Sequence, residues 1–208
     1  MSNITNALTA EGREDLARPR RKPKTARIKA KRQILDEAST LLLGASVILS
    51  SPQRFARRAF ALNGRGRSVA VDDPSAARFC LAGALLRAEH DLHDTPMSLR
   101  TDEADDVDDL LRPVLPESAP PRLDLAMHLL APAAGWELQK LGVRICVVEA
   151  DPEEKITTDL HRPLLLGLHP KAHFSHCKNA IAVALRMAIW LSEDEERIDR
   201  AIHDEALS

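Results

Sequence analysis

The stretch IKAKRQILDEASTLLLGASVIL, residues 28–49, decides the fold class. Its apolar residues recur every three or four positions, which is the spacing of one face of an α-helix. That face is formed by Ile34, Leu35, Ala38, Leu41, Leu42 and Ala45. The β-branched run VRICVVEAD, residues 143–151, is typical of a strand. The sequence therefore predicts a mainly α protein, a single compact helical domain with a minor β component, while an α+β arrangement stays open.

The bases that precede this helix form an arm. Residues 18–33 contain nine Lys or Arg and no acid. The rest of the chain contains 20 bases and 31 acids, so it carries a net charge near −11. Because residues 1–26 lack apolar periodicity, we predict a disordered basic tail there, followed by a helical domain over 27–208. An acidic and Pro-rich internal loop is expected near 95–122.

A basic arm on an acidic body is typical of phosphate binding, because each neutralised phosphate releases counterions. We therefore predict contacts with nucleic acid or another polyanion, or with an acidic protein partner. An arm folded back onto the acidic body is the alternative. The predicted polyanion-binding residues, the last three of them on a short helix over 52–62, are Arg18, Arg20, Arg21, Lys22, Lys24, Arg27, Lys29, Lys31, Arg32, Arg54, Arg57 and Arg58.

Caps and prolines predict the other helix boundaries. Asp73 followed by Pro74 favours a helix that begins there, with Cys80 about two turns inside it on the apolar face. Pro132 predicts a kink or break in a later helix, and Ser192 is the predicted cap of the last one. The helix before that cap has its predicted apolar stripe at Ala180, Val183, Ala184, Met187, Ile189 and Leu191.

Cysteine and histidine residues offer two chemical alternatives. Cys80 is interpreted as a packed core residue, but a thiolate with a histidine base would make a Cys/His-dependent enzyme. His173, His176 and Cys177 have the i, i+3 and i+4 spacing of one helix face, which suits a metal ion. No fourth ligand has a recognised spacing, so we expect neither a metal nor another cofactor, and a metal-dependent enzyme is the alternative.

The segment around Phe79, Cys80, Gly83, Ala84 and Leu85 has the pattern Trp/Phe-Cys-x-x-Gly-Ala-Leu after an Asp-Pro pair. It resembles an uncharacterised bacterial and phage-associated family of small domains of unknown function. A Thr/Ser-His pair of that family would fall on residues 175 and 176. The resemblance covers about half of the chain and implies no known activity.

These observations predict a non-enzymatic binding or adaptor protein, of mobile-element or phage origin if the resemblance holds. Three widely spaced cysteines and an N-terminus without an apolar signal region favour the cytoplasm. No apolar run reaches the roughly 18 residues of a membrane span, so no membrane contact is predicted. A scaffold for protein–protein interaction, which forms homo-oligomers through apolar helix faces, is a further alternative.

Overall fold

The computed structural model describes residues 24–97, 119–143, 163, 166–167 and 169–202. Within these residues the chain forms five α-helices and one antiparallel sheet of two strands. The elements are α1 (Lys24–Ile48), β1 (Ala61–Asn63), β2 (Ala76–Phe79), α2 (Leu81–His93), α3 (Pro121–Lys140), α4 (Phe174–Ser192) and α5 (Glu195–Ala201). The predicted mainly α fold with a minor β component is confirmed.

Helix α1 lies at the centre of the helical packing. Its predicted apolar face is buried, with Leu35, Leu41 and Leu42 fully enclosed. The helix contacts α2, α3, α4 and α5, and α3 also packs along α4. A Cβ atom added at Gly44 would lie 2.9 Å from the Cβ of Ala88, so glycine lets α1 and α2 approach closely. No helix among the described residues is long and apolar enough to cross a bilayer.

Two ends of the helical packing are distinguished by their contacts with α1. The Lys178 ammonium on the first turns of α4 lies 3.4 Å from the Ser46 hydroxyl near the end of α1. Helix α5 follows α4 and contacts the beginning of α1 through Asp199. We call residues 24–32 and 195–202 the arm end, and residues 49–79 and 173–178 the hairpin end. Helix α1, with 25 residues and a length of about 37 Å, runs from the first residue of the arm end to the hairpin end.

The helix predicted over 52–62 is wrong. Only Pro52–Arg54 form a 3-10 helix, and the backbone of Phe55 is extended. The amide of Ala56 donates to the Phe79 carbonyl at 2.9 Å, and Arg58 has a positive φ of 59°. Pairing with β2 thus takes backbone groups that a helix would need, and a left-handed residue interrupts any helical run.

The helix predicted from Asp73 and Pro74 is also wrong at its start. Residues Ala76–Phe79 form β2, and α2 begins at Leu81 with Cys80 as its N-cap. The Asp73 carboxylate instead accepts a hydrogen bond from the Ser75 amide at 2.7 Å, which makes a turn. The same residue types that cap helices also start turns, and the neighbouring strand decided the outcome.

Two boundaries in the C-terminal half differ as well. Helix α3 continues through Pro132 without a break, held by the buried residues on both sides of it. Ser192 is the last residue of α4, and Asp194 caps α5 by accepting from the Glu196 amide at 2.8 Å. Ile189, predicted on the apolar stripe, is exposed. The Ser192 cap and the Ile189 assignment are therefore wrong; of the two alternatives at Pro132 the break is wrong, and the kink stays a prediction.

Several predictions fall partly or wholly outside the described residues. These are the tail up to residue 23, the loop over 98–118 and all of the strand over 143–151 except its first residue. At the edges, α1 already includes residues 24–26, and α3 begins at Pro121 inside the range predicted as a loop.

Candidate functional site

Arginine side chains gather at the hairpin end. They are Arg54, Arg57, Arg58, Arg65, Arg67 and Arg78, which we call the arginine surface. All are exposed except the half-buried Arg78. Among the residues that the structure describes, none of the six forms an ion pair with a carboxylate. The segment 49–79 contains only two acids, and backbone amides of Met97 and Ser75 donate to Asp72 and Asp73, respectively.

The turn after β1 positions two of these arginines. The side-chain oxygen of Asn63 accepts from the amides of Arg65 and Arg67, each at 3.0 Å. Gly66 between them has a φ of 80°, a conformation that glycine adopts without strain. This tight turn holds both guanidinium-bearing residues at the surface beside the sheet.

The pairing of β1 with β2 separates the core from a pocket. Ala61 pairs with Phe79 and both are buried, whereas Leu62 pairs with Arg78. Because successive side chains of a strand point to opposite faces, the second pair faces away from the core. There it borders a pocket of about 620 Å³ that is lined by Pro52, Phe55, Arg57, Leu62, Arg78, His173, Phe174 and Ser175.

Hydrogen bonds fix the two histidines at the start of α4. A guanidinium nitrogen of Arg57 lies 3.3 Å from Nδ1 of His173. Because arginine only donates, Nδ1 of His173 is the acceptor. Nδ1 of His176 accepts from the His173 amide at 3.0 Å and so closes the first turn of the helix. Both imidazoles therefore accept through Nδ1, and their rings stack with centroids 5.8 Å apart.

The predicted ligand cluster is only partly assembled. His173 and His176 lie together, but as the N-cap and first turn of α4, with their Nδ1 atoms already accepting hydrogen bonds. Cys177 is buried, and burial raises the pKa of its thiol, with the nearby Cys80 adding to the effect. In the described part of the chain, no three His, Cys, Asp or Glu side chains are placed to hold a metal ion.

Cys80 lies at the beginning of α2 and not two turns inside a helix. Its sulfur accepts from the Gly83 amide at 3.3 Å, an arrangement that favours a thiolate. The side chain is nevertheless fully buried, and this burial outweighs the amides and raises the pKa of Cys80 to about 11. Burial therefore keeps the thiol protonated at neutral pH, as expected for the packed core residue.

Bases at the arm end meet acids of α5. Asp199 accepts from Arg27 and from Lys31, both at 2.8 Å, and its backbone carbonyl accepts from Lys31 at 3.1 Å. The hydrogen bond from Lys31 lowers the pKa of the Asp199 carboxyl. Arg32 lies 4.0 Å from Glu195. Lys31 is only 2% exposed, so its predicted contact with a polyanion is corrected to a structural ion pair.

The predicted polyanion-binding residues therefore do not form one surface. Lys24 and Lys29 are exposed in the first two turns of α1, a helix about 37 Å long, whereas Arg54, Arg57 and Arg58 follow its other end. Residues 18–22 lie outside the described part. Sequence reasoning missed Arg65, Arg67 and Arg78, although the Asn-Gly pair at residues 63–64 is a standard hairpin signal.

The fold and this site define a mainly helical protein with an arginine surface that has no carboxylate partner among the described residues and that lies beside a pocket. No family model matches its sequence, and neither a curated protein nor a solved structure matches it. The resemblance of the segment from Phe79 to Leu85 to an uncharacterised domain family therefore stays a prediction.

Proposed function

We propose that this protein is a non-enzymatic binding protein that contacts the phosphates of nucleic acid through its arginine surface. The observation that carries the proposal is the set of six arginines at one end of the molecule without a carboxylate partner among the described residues. Arginine suits this role because its planar guanidinium stays charged and donates to two phosphate oxygens at once.

The charge distribution supports the same interpretation. The whole chain has a formal charge of −2. If this charge were spread evenly over its surface, the protein would have little attraction for nucleic acid. Six positive charges gathered on one end create a local positive potential that attracts a polyanion despite the acidic remainder. The two acids of that segment, Asp72 and Asp73, accept hydrogen bonds from the backbone amides of Met97 and Ser75, respectively.

The basic arm takes a secondary role in this proposal. Lys24 and Lys29 are exposed and extend the bases of residues 18–22, whereas Arg27 and Lys31 bind Asp199. The arm therefore adds charge at the end opposite the arginine surface. A long nucleic acid reaches both ends, since about 37 Å corresponds to roughly one turn of B-form DNA. The adaptor role and the cytoplasmic location are part of the proposal.

The salt dependence of DNA binding tests the proposal. Replacement of Arg57, Arg58, Arg65 and Arg67 by Gln should reduce the slope of log affinity against log salt by about three to four, because each phosphate contact contributes about 0.9. The binding of a labelled duplex is measured between about 50 and 200 mM salt by fluorescence anisotropy. The folded state of the variant is checked by circular dichroism.

A matched control removes four positive charges elsewhere. Lys24, Lys29, Arg186 and Arg200 are exposed and lie outside the arginine surface. Their replacement by Gln produces the same net charge and should lower the slope by no more than about two, the share of the two arm lysines. Equal losses in both variants, or no binding by the wild type at about 50 mM salt, would refute the arginine surface as the main contact.

A further inference from the structure

We propose that the pocket at the hairpin end binds a phosphate monoester. This inference goes beyond the surface contacts proposed above, because it requires a discrete pocket and a dianionic end group. The pocket holds about 620 Å³, which is within the range of roughly 300–1,000 Å³ for small-molecule sites. Its walls come from the 3-10 helix, the sheet and the start of α4.

Two guanidinium groups supply the positive charge of the pocket. Arg57 is held by its contact with the imidazole of His173, and Arg78 lies against the turn after β1, close to Gly66. A Cβ atom at Gly66 would lie 3.2 Å from a guanidinium nitrogen of Arg78, which shows how closely that side chain packs on the turn. Among the described residues, none that lines the pocket is acidic, and both arginines belong to the lining.

The start of α4 adds donors on the same wall. Phe174 and Ser175 line the pocket and are the first two residues of a 19-residue helix. Amides in the first turn have no acceptor within their own helix, and the helix dipole places partial positive charge there. A phosphate in the pocket would therefore lie beside two guanidinium groups and the start of this helix.

The number of charges selects the ligand class. A phosphate monoester carries a charge of about −1.5 to −2 at neutral pH, which matches two guanidinium groups better than the single charge of a carboxylate. The pocket also has an apolar wall, made of Phe55, Leu62, Phe174 and Pro52. We assign this wall to the organic part of the ester, which inorganic phosphate lacks.

Two sources supply this chemistry, a free small phosphate ester and the 5′-phosphorylated end of a nucleic-acid strand. Isothermal titration calorimetry with adenosine 5′-monophosphate, adenosine, inorganic phosphate and benzoate tests the shared chemistry. We expect saturable binding of the monophosphate at one site and at least about tenfold weaker binding of the other three probes. Comparable binding of adenosine or benzoate, or no saturable binding of the monophosphate at millimolar concentration, would overturn the proposal.

Single variants locate the site. Arg78→Gln and Arg57→Gln should each weaken binding of the monophosphate by about tenfold, since a charged hydrogen bond is lost. Arg65→Gln is the matched control, because Arg65 lies on the turn after β1 but does not line the pocket. This substitution should change the affinity for the monophosphate by less than about twofold. Unfolding temperatures confirm that all three variants fold. Equal losses in the control and the pocket variants would refute the site.

The two sources and the two proposals are separated by further titrations. A single strand with a 5′-phosphate is compared with the same strand bearing a 5′-hydroxyl. If the phosphorylated strand binds more tightly and Arg78→Gln removes the difference, the source is a strand end. If both strands bind equally while the monophosphate binds tightly, the source is the free ester. Arg65→Gln with Arg67→Gln should weaken duplex binding alone, so failure of the arginine surface leaves the monophosphate result intact.

Discussion

The two ends of α1 present similar numbers of bases to very different surroundings. At the arm end, Arg27, Lys31 and Arg32 face the carboxylates of Asp199 and Glu195. At the hairpin end, six arginines have no carboxylate partner among the described residues. A run of bases therefore does not by itself mark a binding surface. Acidic side chains on another helix determine which of the bases form ion pairs within the protein.

The neutralisation at the arm end follows from matched helix spacing. Arg27 and Lys31 are four residues apart on α1, and Glu195 and Asp199 are four residues apart on α5. Residues at i and i+4 lie on one face, so Arg27 and Lys31 both reach Asp199, while Glu195 lies 4.0 Å from Arg32. The hairpin end has no acidic helix opposite it in the described structure, and its arginines come from the 3-10 helix, the bend that follows it, the turn after β1 and strand β2.

The largest effect is expected from a substitution that disrupts the packing of the hairpin end against α2. A Cβ atom at Gly83 would lie 2.0 Å from the Phe60 carbonyl oxygen, which also accepts from the Cys80 amide at 3.1 Å. Since two backbones meet there, neither can yield cheaply. We expect Gly83→Ala to prevent folding or to lower the free energy of unfolding by more than about 4 kcal/mol, measured by urea titration.

Gly64 provides the control for that substitution. A Cβ atom at Gly64 would meet no other atom within 4 Å, so Gly64→Ala should change the free energy of unfolding by less than about 0.5 kcal/mol. A Gly83→Ala protein as stable as the Gly64→Ala protein would show that β1 does not sit on α2 as described.

The second effect in size concerns the ion pair of the arm end, where the two partners should respond unequally. Asp199→Ala removes a carboxylate that lies 2.8 Å from the ammonium of Lys31, a residue only 2% exposed, and should lower Tm by roughly 5 °C or more. Lys31→Met leaves a carboxylate whose side chain is 30% exposed, and it should change Tm by less than about 3 °C. Thermal unfolding followed by circular dichroism measures both.

Lys29→Met is the control for the ion pair, because Lys29 is exposed on the same helix. It should leave Tm within about 1 °C of the wild type. Equal destabilisation by Asp199→Ala and Lys29→Met would mean that the buried ammonium does not depend on Asp199.

A smaller effect is the pH dependence of the same pair. The hydrogen bond from Lys31 lowers the pKa of Asp199 in the folded state, below the value of about 3.9 for an unfolded Asp. A lowered pKa means that the stabilisation is complete above pH 4 and is lost as pH falls through the folded value. The Tm difference between wild type and Asp199→Ala should therefore stay constant from pH 7 to 5 and shrink below pH 4. A difference that widens toward acid would contradict the sign.

The smallest expected effect is an increase in the free energy of unfolding, and it concerns a residue of the hairpin end. Arg58 has a φ of 59°, where an L residue with a side chain is strained and glycine is not. Arg58→Gly should raise the free energy of unfolding by about 0.5 kcal/mol, measured by urea titration, although a charge is lost. Arg57→Gly, without positive φ, should lower it instead. A loss of stability in both would show that Arg58 is held by contacts that outweigh its strain.

Helical periodicity identified α1 and its buried face from the sequence, because the pattern extends over many turns and tertiary contacts reinforce it. The segment 52–79 was misassigned since the Ser-Pro and Asp-Pro signals at its edges suit turns as well as helices, and only pairing between distant strands decides. Half of the arginine surface was predicted. Lys31 was misjudged although it falls in register with Ile28 and Leu35 on the buried stripe, because its partner Asp199 is invisible to local reasoning.

The pair of Lys31 with Asp199 also sets an order of assembly. These residues are 168 positions apart, so their meeting closes a loop that includes most of the chain. Such closure carries an entropic cost that grows with loop length, and contacts of this separation form late in folding. While the chain is synthesised from its N-terminus, α1 therefore holds a charged residue on its apolar stripe before its partner Asp199 emerges with α5. The arm end is completed only when nearly the whole domain has been made.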